Sequence, residues 1–88
     1  MGLNSVEIVM EVEDEFDISI PDPDAERIMR VGELAEYVFA AMGGDQNPKG
    51  LSRDDVLQKI RTIVSEQMVM PIDQITAEKH FVRDLHID

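Results

Sequence analysis

The stretch Leu3–Phe16, LNSVEIVMEVEDEF, decides how the rest of the chain is read. Leu3, Val6, Val9 and Met10 recur at three- and four-residue spacings, and Phe16 falls six residues after Met10. With Ile8 and Val12 widening the stripe, the spacing predicts a helix with one apolar face. Between these positions lie Glu7, Glu11, Glu13, Asp14 and Glu15, all of one sign. Such a helix can close a small core with one face and offer negative charge to a basic partner with the other. On this reading the remaining segments pack against the opening helix or lead into it.

Eighty-eight residues make one domain, near the lower end of what folds unaided, and a 43% hydrophobic share is enough for a modest core. The absence of cysteine excludes a disulfide framework, a thiolate zinc site and a cysteine nucleophile. No apolar run reaches the roughly 18 residues of a membrane span, and the first residues lack the basic-then-apolar layout of a secretory leader. The expectation is a soluble cytoplasmic protein. Charge is the dominant global feature: 19 acidic against 8 basic residues, net −11. Residues 1–43 hold 11 acidic and 2 basic side chains, whereas residues 44–88 hold 8 and 6. Phosphate-rich nucleic acid and anionic membrane are disfavoured partners for such a surface. A basic protein surface is the natural complement, through an attraction that weakens with salt.

After the opening helix, DISIPDPD holds Pro21 and Pro23, which exclude a regular helix, and reads as a loop burying Ile18 and Ile20. Asp24 is expected to cap a short helix over Ala25–Met29. Val31-Gly32-Glu33 is expected to turn into a further helix from Glu33 to about Met42, with Leu34, Val38, Tyr37 and Ala41 inward. Residues 43–50, GGDQNPKG, have the composition of a flexible linker. Ser52-Arg53-Asp54-Asp55 fits a capping box, and Val56, Ile60, Ile63, Val64 and Gln67 trace the inner side of the helix it starts, which ends before Pro71. The long connection from Met68 to Leu85 is pinned by Ile72, Ile75, Phe81, Val82 and Leu85, with a helical turn expected at Thr76-Ala77-Glu78.

Reading Leu51–Asp88 first and Gly2–Met42 second gives an order that closely resembles the acyl carrier protein family. The resemblance rests on Thr76-x-Glu78-x-x-Phe81-x-x-Asp84-Leu85, on the VEIVMEVEDEF helix, on the Ile18-x-Ile20-Pro21-Asp22 turn and on the VGELAEYV helix. It covers nearly the whole chain outside residues 43–50. It implies an all-α, four-helix acyl-carrier-type bundle in circularly permuted order, one domain over residues 1–88, in which 43–50 join the ends of two neighbouring helices. Eight flexible residues span about 15 Å, enough for that join. The acidic helix resembles the family's partner-recognition helix, which places Glu7, Met10, Glu13 and Asp14 against basic surfaces of acyl-chain-processing enzymes and of a phosphopantetheinyl transferase.

The resemblance also implies 4′-phosphopantetheine, carried in the family by the serine of an Asp-Ser-Leu motif. Here Asp88 matches the motif aspartate and Leu3 the motif leucine, while Gly2 takes the serine slot and offers no oxygen to esterify. Ser5, three residues along, is the nearest substitute hydroxyl. The function implied is that of a non-enzymatic acyl carrier of fatty-acid or polyketide synthesis without its usual attachment serine. The alternative is an unmodified acidic interaction module, as a monomer or a half-exchanged dimer. Other signals carry less. Asp22-Pro23-Asp24-Ala25-Glu26 begins like a calcium loop, but Arg27 stands where that loop needs glycine. His80 and His86 lack partners at metal-ligand spacing, so no metal site is expected. No nucleophile elbow surrounds Ser5, and no catalytic set is expected.

Overall fold

Four segments carry the capping and periodicity of helices, and in the computed structural model, which describes residues 6–86, four helices form. They are α1 (Val6–Phe16), α2 (Asp22–Arg27), α3 (Val31–Ala41) and α4 (Arg53–Met68), with single 3-10 turns at Gly44–Gln46 and Ile72–Gln74. No strand occurs among the described residues; one isolated bridge pairs Arg30 with His80. The fold is a small all-α bundle, as its class was read from the sequence.

The start of α4 follows its capping box. Ser52 Oγ accepts the Asp55 N–H at 3.1 Å, and Asp55 Oδ2 accepts the Ser52 N–H at 3.0 Å. These bonds hold the Asp55 carboxyl below its usual value, the backbone N–H of Ser52 being the main cause. Val56, Ile60, Ile63 and Val64 then line one buried stripe at helical spacing, while Gln67 is only half-buried. The helix ends where Val69 takes a left-handed conformation, φ 53°.

The bundle is organised around α4 rather than around the opening helix. Its most extensive contacts are with α3, and it also packs against α1. The reason lies in the phase of α1. Its buried side chains are Ile8, Val12 and Phe16, each four residues apart, whereas Val6 and Met10 are 68% and 57% exposed. The expected stripe through Val6 and Met10 is therefore displaced, because the i, i+4, i+8 series includes the large Phe16 and seals it at 2% exposure.

Boundaries moved in physically intelligible ways. Pro21 occupies the N-cap of α2, Pro23 its first turn, and Asp24 lies inside the helix, receiving the Tyr37 hydroxyl at 2.7 Å. That bond, with burial, pushes the Tyr37 phenol above its usual value. The next helix starts at Val31, two residues early, because Glu33 Oε1 accepts the Met29 and Arg30 N–H groups, each at 2.8 Å. Phe39 and Ala35 are buried, Tyr37 is half-buried and Ala41 is exposed. Ile20 is buried and Ile18 packs against the core, as the loop reading required. Of the long connection, Ile75, Phe81 and Leu85 enter the core; Val82 is half-buried and Ile72 exposed. The helical turn falls at Ile72–Gln74, where Arg61 donates through Nε to the Ile75 carbonyl at 2.5 Å and through Nη2 to that of Ile72 at 3.1 Å.

The stretch expected as a flexible linker is laced by hydrogen bonds. Asn47 is 7% exposed; its amide donates to the carbonyls of Gly44 and Leu51, and its Oδ1 accepts the Leu51 N–H. Left-handed conformations at Gly43, Gly44 and Gly50 let the backbone close around it. The segment that follows α4 is tied just as firmly to the α2–α3 junction. Phe81 donates to the Met29 carbonyl, Val31 to that of Lys79, and Gly32 to that of Ala77 at 2.8 Å. A side chain at Gly32 would meet the Ala77 oxygen at 3.1 Å, which accounts for glycine in a helical first turn.

The phase of α1 is directly testable. Val12→Ala is expected to cost about 2 kcal/mol in urea unfolding, from lost methyl burial plus the void left behind, while Val6→Ala changes stability by less than about 0.5 kcal/mol. Equal effects would mean that the core-facing stripe has been placed on the wrong side.

Candidate functional site

The outward side of α1 follows from its buried side. With Ile8, Val12 and Phe16 inward, a turn of 100° per residue brings Glu7, Met10 and Asp14 to the opposite, solvent-facing side. All three are exposed. An apolar thioether flanked by two carboxylates suits a basic surface with a shallow apolar contact. Glu15, on the flank toward α4, is partly compensated by Lys59 at 3.5 Å. That pair is about half exposed and contributes little to stability.

Beside this face, on the flank of α1 toward α2, runs a groove of about 370 Å³. Val6, Val9, Met10, Ile20 and Ala25 supply its apolar lining, and Glu13, Asp22 and Glu26 supply its acidic groups. An apolar trough with a carboxylate rim admits an apolar side chain or chain whose outer end is positive or neutral.

Glu13, grouped by sequence with the recognition residues, has a different role. It is half-buried, and its Oε2 accepts the Ile20 N–H at 2.7 Å. Its own carbonyl accepts the Ile18 N–H at 3.2 Å. Glu13 therefore closes the loop that follows α1, where Asp17 turns the chain through a left-handed conformation, φ 56°. A local clue exists: an acid in the last turn of a helix, followed within seven residues by a Pro-terminated loop that must bury Ile20. The charge run masked it.

Gly2, Leu3, Ser5 and Asp88 lie outside the described residues, so the expected motif flanks and substitute hydroxyl have no geometry here. By sequence, Gly2 in the slot that the resemblance assigns to serine has no side-chain oxygen to esterify, and the first described turn of α1 presents the carboxylate of Glu7. Among the described residues no cluster of three or more His, Asp or Glu side chains is placed to hold a metal ion. No helix is long and apolar enough to cross a membrane.

The division of labour along α1 gives a measurable contrast. Glu13→Lys is expected to lower stability by about 1–2 kcal/mol, because it removes the acceptor of the Ile20 N–H, whereas Glu7→Lys and Asp14→Lys stay within about 0.5 kcal/mol of the parent. Thermal unfolding of the three variants side by side reads the difference. No family model matches the chain, and no solved structure matches it.

Proposed function

We propose that the chain is a circularly permuted acyl-carrier-type scaffold that recognises basic surfaces of acyl-chain-processing enzymes through Glu7, Met10 and Asp14 and carries no phosphopantetheine at its motif position. Two features support the permuted order. The motifs fall into family order only when the halves are exchanged, and α3 and α4, which flank residues 43–50, share the most extensive packing in the molecule. Arg53, in the first turn of α4, reaches back across that joint: its guanidinium lies 5.0 Å from the Phe39 ring centre and 3.1 Å from the Glu36 carboxylate. Helix ends this close suit a short covalent link.

The observation that carries the recognition reading is the outward side of α1, where two carboxylates and a thioether stand free of intramolecular duties. Residues 1–43, with net charge −9, place most of the molecule's negative charge in the same half. That distribution steers a positively charged partner toward α1, with association rates that fall as salt rises. The second reading, an interaction module that never holds a prosthetic group, is favoured by glycine in the serine slot. It shares the recognition face and differs only in covalent chemistry.

One measurement bears on the covalent chemistry that separates these readings, and a second tests the face they share. After incubation with a phosphopantetheinyl transferase and coenzyme A, intact mass is expected to show no gain. A gain mapping to Ser5 would restore the carrier activity that Gly2 removes. Independently, the double variant Glu7→Lys, Asp14→Lys is expected to weaken binding to an immobilised acyl-chain-processing synthase by at least about tenfold at low salt. Unchanged affinity, with the fold intact by circular dichroism, would defeat the recognition reading.

A further inference from the structure

The turn 80–85 delivers two large side chains to the core, Phe81 at 0% exposure and Leu85 at 3%. Its hydrogen bonds converge on one residue. His80 Nδ1 accepts two backbone donors, the Val82 N–H at 3.2 Å and the Arg83 N–H at 3.0 Å. The His80 carbonyl accepts from Asp84 at 2.9 Å and Leu85 at 3.1 Å, and Asp84 Oδ2 accepts the His80 N–H at 2.8 Å. Imidazole and carboxylate thus satisfy the N–H groups at the start of one turn reciprocally, as serine and an acid do at a helix start.

This arrangement imposes a protonation state. A ring nitrogen that receives two N–H donors must bear a lone pair, so the ring proton resides on Nε2. A proton added at Nδ1 turns the acceptor into a donor facing two other donors. The Val82 and Arg83 N–H groups lose their partner, and the cap opens.

The geometry points to His80 as an acid-sensitive latch: protonation of its imidazole releases the turn 80–85 and loosens Phe81 and Leu85 from the core. The charged groups around it are Lys79, Arg83 and Asp84 on its own segment, Glu78 beside them, and Arg30 and Glu33 at the α2–α3 junction, where Arg30 pairs with the His80 backbone and donates to the Glu78 carbonyl at 2.7 Å. The lysine and arginines stay charged throughout the neutral to mildly acidic range. The Asp84 carboxyl is held below its usual value, chiefly by the His80 N–H, so it remains an anion there and contributes its bond until more acid conditions. Because Nδ1 accepts two N–H groups, the neutral imidazole is the stabilising form. Its contribution is present at higher pH and lost as pH falls. General relief of the −11 net charge works in the opposite sense, so the signal has to be read locally.

Amide hydrogen exchange by NMR reads it, as protection factors that already correct for the intrinsic pH dependence. In the wild type, protection of Val82 and Arg83 is expected to fall by about tenfold or more between pH 7.5 and 5.5, while amides inside α4 hold theirs. The imidazole nitrogen shifts should show Nδ1 unprotonated at pH 7.5 and gaining its proton in step with that loss. His80→Asn supplies a non-titrating acceptor at nearly the same place, so its turn should stay protected at both pH values. His86→Gln should behave as wild type. Protection in the wild type that is unchanged across the range, or a His80→Asn variant that loses protection as the wild type does, overturns the latch. The nitrogen shifts of the wild type decide the matter if either variant folds poorly.

Discussion

Everything in the bundle depends on one apolar stripe, Val56, Ile60, Ile63 and Val64, on the longest helix. Three of these side chains are fully buried and Ile63 is nearly so. The stripe has to be covered on two sides, and α3 and α1 do so as a pair. Neither could be stable alone at 11 residues, below the length at which isolated helices persist in water. The short α2 and the 3-10 turns have still less intrinsic stability and exist because their neighbours hold them. Helicity here is a consequence of packing, and the acid-rich composition survives because the charges lie on surfaces that α4 does not use.

The same constraint explains why the outward side of α1 is available. With Ile8, Val12 and Phe16 facing the core, Val6 and Met10 are left largely exposed at the edge of the groove, beside carboxylates. Their exposure has a cost in solvation that a folded monomer does not recover. Such exposure is tolerated where a surface meets something else. The groove between α1 and α2 extends this surface, and Glu13 shapes it from within by holding Ile20 in place.

Much of this was legible in the residues, and the rest was not for definable reasons. The capping box at Ser52 and the inner stripe of α4 announced themselves, since a cap and four β-branched positions at helical spacing leave one answer. The phase of α1 was ambiguous because nearly every non-acidic position there is apolar; two stripes were available, and only the partner helix selects between them. The two-residue early start of α3 rested on a carboxylate reaching back to two N–H groups, which a Val-Gly pair concealed. Residues 43–50 read as a linker by composition, yet one buried amide, Asn47, organises them. The role of Glu13 was hidden by its resemblance to its neighbours. Caps and stripes declared by residue type were visible, whereas the hydrogen-bond partner of a single carboxylate or amide had to be seen even where it lay close in the chain.

Asn47 and the glycines around it carry a last consequence. The hydrogen bonds of that turn are nearly all internal to residues 43–51, so the turn holds its own shape without anchoring the helices on either side. A protease that severed it would leave two fragments still joined along the α3–α4 seam and through the Met29–Phe81 and Gly32–Ala77 backbone bonds. Folding would then become a bimolecular equilibrium, with a melting point that climbs as the fragments are concentrated. The peptide link at this joint acts above all as a tether that sets effective concentration.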